Sequence, residues 1–243
     1  MHENWTDFFE AVEEFPFNRR LKFKKLCIVG NEPLLFPKLQ ETIALAVKNG
    51  FREIEVLTSG GPLSDIFFLR ELVQAGVTSF SLPLFGSTAE THDRIVQKKG
   101  SFRELMTALG SLKQVRGIRV FIHTNLLKQN LNELPALERL VTREFGFPFA
   151  ILPTRTKFTN LPFREYTPSY REVISTLKGK VRSLLGFPYC IQRTVQKTDT
   201  AVVSDSMKLY FIHQRFIKPA PCRTCLYFNR CPGVFRDYLK VYS

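Results

Sequence analysis

Two rhythms of apolar residues alternate along the first 150 positions. Short, unbroken apolar runs recur at Lys25-Leu-Cys-Ile-Val-Gly30, Glu53-Ile-Glu-Val-Leu-Thr58, Val77 to Leu84, Gly117 to Leu126 and Phe147 to Leu152. Runs of this length, rich in Val, Ile and Phe and flanked by turn residues, predict buried strands. Between them the apolar positions recur every three or four residues. Leu39, Ile43, Ala46 and Val47 share one helical face, closed by Gly50. Ser64 caps a predicted helix that runs through Ala75 and stops at Gly76. Ser101-Phe-Arg-Glu104 has the spacing of a capping box and opens a helix to about Val115. A further helix is predicted from about Asn130 to Glu144, stopped by Gly146, and another over residues 4–14.

Strand and helix alternating in this way predict parallel strands joined by right-handed crossovers, an α/β fold. In such folds functional groups gather where the strands end. The predicted strand ends are Gly30-Asn31-Glu32-Pro33, Thr58-Ser59-Gly60-Gly61, Ser81 to Ser87, His123-Thr124-Asn125 and Pro153-Thr154-Arg155. Any one of these is ordinary turn chemistry. Five together leave room and hydrogen-bond donors for a ligand. The pattern changes from about Thr167. One amphipathic helix is predicted over 168–185, then a short strand at Lys208–His213 and a terminal helical piece from Val234 to Tyr242. A domain boundary is placed at residue 186, giving domains 1–186 and 187–243.

The C-terminal segment holds the sharpest chemistry. Cys222, Cys225 and Cys231 are spaced C-x2-C-x5-C in a chain with five cysteines, and Cys190 is a fourth candidate. Thiolates two residues apart can turn onto one centre, and four soft ligands suit an iron–sulfur cluster or a zinc ion; the spacing does not choose between them. Cys27, on an apolar strand, reads as a small core hydrophobe. His213 is a weaker candidate ligand than Cys190. No signal peptide and no run long enough to span a membrane are seen, so a reducing, cytoplasmic setting is expected.

Charge adds one feature. The net charge is +13. Residues 151–243 carry 16 Lys and Arg against 5 Asp and Glu, so the cysteine-bearing third is the basic one. That balance favours an anionic partner: an acidic peptide, a phosphorylated small molecule, or RNA. Arg155 is a candidate contact to a substrate carboxylate or phosphate. His92-Asp93 reads as a helix start or loop hydrogen bond rather than an acid–base pair. His123 and Thr124 alternate on their strand, so only one of them, or Asn125 in place of Thr124, faces a ligand.

Several segments together resemble radical S-adenosylmethionine (radical SAM) enzymes. Gly30-Asn31-Glu32-Pro33-Leu34-Leu35, with Pro37, resembles the family's Gly-Gly-Glu-Pro motif, and Thr58-Ser59-Gly60 resembles the Thr-Asn-Gly that ends the next strand. Ala75 to Ser81, His92-Asp93-Arg94, Gly100-Ser101-Phe102 and Asn130 with Glu133-Leu134-Pro135 follow in the family's order. Cys190, Cys222, Cys225 and Cys231 with Gly233 resemble the auxiliary-cluster modules, of SPASM and twitch type, of peptide-modifying members. The resemblance implies a partial (β/α)6 TIM-like barrel followed by a small Cys-rich module. It implies a SAM site at Gly30, Asn31, Glu32, Pro33, Ser59, Ser81 and Thr124, and a [4Fe–4S] auxiliary cluster on the four cysteines, with zinc as the alternative metal. The family's C-x3-C-x2-C triplet is absent from these 243 residues. The resemblance would put it before Met1, together with the first strand. The chain is therefore expected to be truncated or catalytically incomplete, inactive in SAM cleavage, or completed by a partner chain that supplies the missing strand. The rival expectations are a non-catalytic peptide-binding or partner subunit and a zinc-ribbon RNA-binding protein.

Overall fold

The computed structural model describes residues 25–154, 160–196 and 216–242. The helix expected at 4–14, the strand expected at Lys208–His213, and Arg155 and His213 lie outside the described residues. The elements in chain order are β1 (Lys25–Ile28), α1 (Leu39–Lys48), β2 (Glu53–Leu57), α2 (Ile66–Ala75), β3 (Ser79–Pro83), α3 (Ala89–Val96), α4 (Ser101–Gln114) and β4 (Arg119–Asn125). They continue as α5 (Leu134–Arg139), β5 (Phe149–Leu152), α6 (Phe163–Tyr166), α7 (Tyr170–Leu177), α8 (Tyr189–Val195), β6 (Phe216–Ile217), β7 (Val234–Phe235) and α9 (Arg236–Tyr242). Strands β1 to β5 form one sheet in the order β1-β2-β3-β4-β5, and β6 pairs with β7 separately. The β1–β2, β2–β3 and β4–β5 pairs are parallel. The α/β expectation holds, and among the described residues the five-stranded sheet does not close on itself.

The chain forms two compact units. Among the described residues, one comprises 25–82 with 104–120, the other 83–103 with the described residues from 121 onward.

In the first unit the register places Ile28, Val56 and Phe80 side by side, with Ile54 and Leu82 on the same face because side chains alternate along a strand. All five are buried. Helix α1 buries Leu39, Ile43 and Ala46 as expected, but Val47 is 45% exposed. Gly76 ends α2 at φ +124°, and a Cβ there would lie 2.5 Å from Val47 Cγ2. Glycine is thus needed twice over, for the backbone and for the close approach of the two helices. The cap of α2 is Asp65 rather than Ser64: its carboxylate accepts the Phe67 and Phe68 N–H groups at 2.8 and 3.3 Å.

In the second unit the start of α4 is held by an acid from the preceding helix. Asp93, from α3, accepts from Gly100 N at 2.6 Å, Ser101 Oγ at 3.0 Å and Phe102 N at 2.8 Å. These donors hold its pKa below the usual carboxylate range, against a smaller opposing effect of burial. The helix expected from Asn130 begins only at Leu134, then widens into a π-helical turn over Leu140–Phe145.

The helix expected over 168–185 needs correction. Ser169 and Glu172 form a reciprocal capping box, but α7 ends at Leu177. Gly179 follows at φ +71°. The chain then runs beside β5: Ile151 N donates to Ser183 O at 2.7 Å, and Leu185 N donates to Ile151 O at 2.9 Å. Leu184 bridges Ile151 in parallel. Val173, Leu177, Val181 and Leu184 fall at helical spacing, which conceals this extended stretch. Glu138 anchors it, accepting the Arg182 N–H at 3.0 Å and the Ser183 hydroxyl.

Within the second unit, described residues from the C-terminal segment pack on the α7 region. Tyr170 and Tyr238 stack with ring centroids 3.9 Å apart, the Tyr170 N–H donates to the Tyr238 hydroxyl, and Tyr242 Oη donates to Thr167 O at 2.6 Å.

Candidate functional site

In the first unit the ends of β1 and β2 are tied by one carboxylate. Glu32 precedes Pro33 and is extended, at φ −148° and ψ 94°, as a residue before proline prefers. Its Oε1 accepts from Leu34 N at 3.1 Å and Thr58 Oγ1 at 2.6 Å. Its Oε2 accepts from Ser59 N at 2.8 Å and from the Ser59 hydroxyl. Four donors on two oxygens make this a fixed group rather than a side chain loose in solvent. Gly60 completes the turn at φ +88°; a Cβ there would lie 2.6 Å from Leu82 Cδ2. Gly60 N donates to Thr58 Oγ1 at 3.0 Å, and Thr58 N donates to Ser81 O at 3.1 Å, so the end of β3 is drawn in as well.

The site residues differ in access. Gly30, Asn31 and Ser59 are exposed and Glu32 is half-buried, whereas Pro33 is buried and Ser81 has no exposed surface. Beneath them, Cys27 and Glu55 are register partners on one face, shared with Ser79 and Ser81. Glu55 is a buried carboxylate with Cys27 Sγ 4.0 Å from its Oε2. Cys27 thus sits beside an acid rather than in a purely apolar layer. Glu55 was not legible as a site candidate, because it lies inside a strand rather than at its end.

Thr124 belongs to the second unit, where it is fully buried on the β4 face shared with Ile122 and Ile151. His123 and Asn125 occupy the opposite face with Ala150 and Leu152. Burial pushes the His123 pKa down to about 4, so the imidazole is neutral at pH 7. Next to Thr124 lies a hub that the sequence offered only as part of a family pattern. Asn130 is fully buried. Its Nδ2 donates to Phe85 O and Asn125 O, both at 3.0 Å, and to Thr124 Oγ1 at 3.4 Å. Its Oδ1 accepts from Leu127 N at 2.9 Å. Glu133, three residues on, accepts from Ser87 N and Oγ at 2.9 and 3.0 Å and from the Thr91 hydroxyl. His92 Nδ1 accepts from Phe85 N at 3.1 Å. Burial lowers the His92 pKa to about 4, partly opposed by Asp93. It is a neutral structural acceptor.

The four C-terminal cysteines also fall in the second unit. Cys222 and Cys225 bracket a tight turn, Cys225 N donating to Cys222 O at 3.0 Å. Cys231 Sγ accepts from Tyr189 N at 3.2 Å and Gly233 N at 3.3 Å. The first of these bonds brings the Cys231 sulfur to the residue preceding Cys190. Burial pushes the Cys190 thiol pKa up, and neighbouring Cys231 and Cys222 push it the same way, so these three thiols share one neighbourhood. Arg193 lies over the Tyr227 ring at 5.4 Å and adds a cation beside it. All five cysteines are free thiols. Among the described residues, no group of three or more His, Cys, Asp or Glu side chains is arranged to hold a metal ion.

The family model of the radical SAM superfamily matches residues 3–141, more than half of the chain. The chain belongs to the radical SAM superfamily. A PqqA peptide cyclase from Ruegeria pomeroyi is 27% identical over 173 residues, covering 68% of this chain and 45% of that protein. An Fe-coproporphyrin III synthase from Methanosarcina barkeri is 30% identical over 115 residues, 47% of this chain and 28% of that protein. This radical SAM chain thus spans less than half the length of these relatives. Among solved structures, the S-adenosylmethionine-bound crystal structure of SuiB from Streptococcus suis aligns over 57% of this chain and 32% of that one, at 14% identity and a TM-score of 0.43. No helix among the described residues is long and apolar enough to cross a membrane.

Proposed function

We propose that this chain carries the SAM-binding edge of a radical SAM enzyme that modifies a peptide or small molecule, together with a cysteine-held auxiliary iron–sulfur cluster. The observation that carries the reading is the Glu32 latch. An anionic carboxylate is fixed at the end of β1 by Thr58 and Ser59, beside the exposed backbone of Gly30 and Asn31. A site of this kind fits the ammonium of SAM, with the Ser59 hydroxyl as a further contact. Ser81 and Thr124 have no accessible surface and would act by holding the strand ends. SAM bound with a reduced four-iron cluster supplies radical hydrogen abstraction; the chain's own part is to bind, orient and shield. The names of the relatives, a peptide cyclase and a porphyrin synthase, support a peptide or small-molecule substrate.

For the auxiliary cluster, the donor set is four thiols with the spacing of a Cys-rich module, one of them already accepting two N–H bonds. Thiolates on a four-iron cube each bind a separate iron, so they need not crowd as ligands of a single ion do. Hydrogen bonds to a ligand sulfur are among the features that set a cluster's potential.

Two measurements test the reading. Titration of SAM into the chain should show binding that weakens about tenfold in Glu32→Gln; the same affinity in both would remove the Glu32 assignment. Anaerobically purified protein should contain iron and sulfide in equal amounts, about four of each per chain, lost in Cys222→Ala. One zinc without iron would replace the cluster by a structural metal.

A further inference from the structure

Far from the Glu32 latch in sequence, the second unit contains a cavity of about 590 Å³. Small-molecule sites typically occupy roughly 300–1,000 Å³. Its floor is a separate apolar cluster of Phe85, Leu127 and Tyr166, backed by Ile95 and Val96. These three floor residues are 7%, 1% and 3% exposed, so the floor is packed before any ligand arrives. The rim is of another kind. Leu161 is 51% exposed, and Gln97, Gln129 and Asn160 bring amides to the opening. Among the described residues, Arg94 is the single charged residue of the lining.

Arg94 is weakly committed elsewhere. Its Nη1 lies 3.6 Å from Glu90 Oε1, with the Glu90 side chain 86% exposed. Its Nη2 donates to Thr91 Oγ1 at 3.3 Å. A guanidinium has five N–H donors in a planar fork, more than these contacts use. An exposed ion pair of this kind contributes little, so exchanging Glu90 for a ligand carboxylate costs little. The other nearby acid, Glu133, is turned to Ser87 and Thr91. Gln97 ends α3 at φ +57°, the one non-glycine residue with positive φ among the described residues. Held in that conformation, it closes one wall beside Arg94. Such backbone strain tends to persist where surrounding structure over-determines it.

We infer that this cavity binds a peptide segment carrying an acidic side chain next to an apolar one. The carboxylate meets Arg94 bidentately, and the apolar side chain rests on Phe85, Leu127 and Tyr166. The net charge of +13 favours an acidic partner over a basic one. That the bound peptide is the substrate rests on the proposed function; that the cavity binds it does not.

The test uses the ¹⁵N-labelled chain and three probes: acetyl-Phe-Glu-amide, acetyl-Phe-Gln-amide and 4-phenylbutyrate. The Glu dipeptide should bind roughly fivefold more tightly than the Gln dipeptide, the factor set by about 1 kcal/mol from a half-exposed ion pair. Arg94→Gln should erase that ratio with no change in melting temperature, because the side chain is half-exposed. Leu161→Asp should weaken the Glu dipeptide by repulsion. Equal binding of the two dipeptides, or a ratio unchanged in Arg94→Gln, overturns the proposal. Binding of 4-phenylbutyrate with neither dipeptide bound overturns the peptide assignment and leaves a small carboxylate as ligand. SAM titrated into the same samples separates the two readings: loss of SAM binding with the dipeptide ratio intact removes only the Glu32 site.

Discussion

Asn130 uses one amide to hold together the ends of two strands. Its donors face two carbonyls, and its acceptor faces Leu127 N. Replacing it by Asp keeps the acceptor but turns the donors into oxygens facing oxygens at a fully buried position. Asn130→Asp should cost about 2–4 kcal/mol, read as a drop in the urea midpoint. A change under about 0.5 kcal/mol would show that the hub is dispensable. Gly233 makes a comparable point about backbone. Its φ is +99°, and a Cβ would lie 2.6 Å from Ile217 O. Gly233→Ala should therefore displace the β6–β7 pair and the N–H that Cys231 Sγ accepts. Thermal unfolding should fall by the equivalent of about 2 kcal/mol, the sum of left-handed strain and the clash. An unchanged melting temperature would show that this segment shifts freely.

At the scale of elements, the loops after the strands are held by acids, each used as an acceptor for several donors. Glu32 binds the β1 and β2 ends, Asp93 the start of α4, Glu133 the loop after β3, and Glu138 the stretch beside β5. Asp93 is the element-level test. Asp93→Ala removes the acceptor for Gly100 N and Phe102 N and should lower the urea midpoint, as loss of a helix cap does. Ser101→Ala, which leaves both of those backbone bonds to Asp93 in place, should lower it less. The reverse ranking in chemical denaturation would restore the local box. Sequence spacing suggested the local cap because it sees only neighbours along the chain. The actual cap comes from eight or nine residues upstream and becomes visible only once α3 turns back on α4.

For the whole molecule, pH is a sharp probe. His92 and His123 each have a folded pKa near 4, below the ordinary 6.5, because burial disfavours the imidazolium. The unfolded chain therefore binds more protons between these values. Their stabilisation is fully present above pH 6.5 and is lost as pH falls from 6.5 towards 4. Between pH 7 and pH 5 each should remove roughly 1–2 kcal/mol. His92→Asn offers an amide oxygen near the Nδ1 position but no titrating group, so urea unfolding of this variant should lose about half as much over that range. An identical pH loss in the variant would sink the assignment. Glu53, Asp93, Glu133 and Glu172 also have lowered pKa values, but below the histidine window. Their contribution is lost only as pH falls through the carboxylate range.

Alternating apolar rhythm and the glycines that punctuate it determined the parallel α/β order, because period and turn chemistry are local properties of the chain. The same holds for Glu32-Pro33 as a strand-end acid and for the C-x2-C-x5-C spacing. The extended stretch at 181–185 was not legible: its apolar spacing fits a helix equally well, and only the edge of β5 supplies the backbone partners that decide. Which of His123, Thr124 and Asn125 shares a face with Ala150 was likewise open, since alternation gives two faces without saying which is which. Tertiary structure alone brought Thr58 and Ser59 onto Glu32, placed Tyr189 N on the Cys231 sulfur, and set Arg94 above an apolar floor. Each joins residues dozens of positions apart, or side chains from different elements, and no local pattern encodes such a distance.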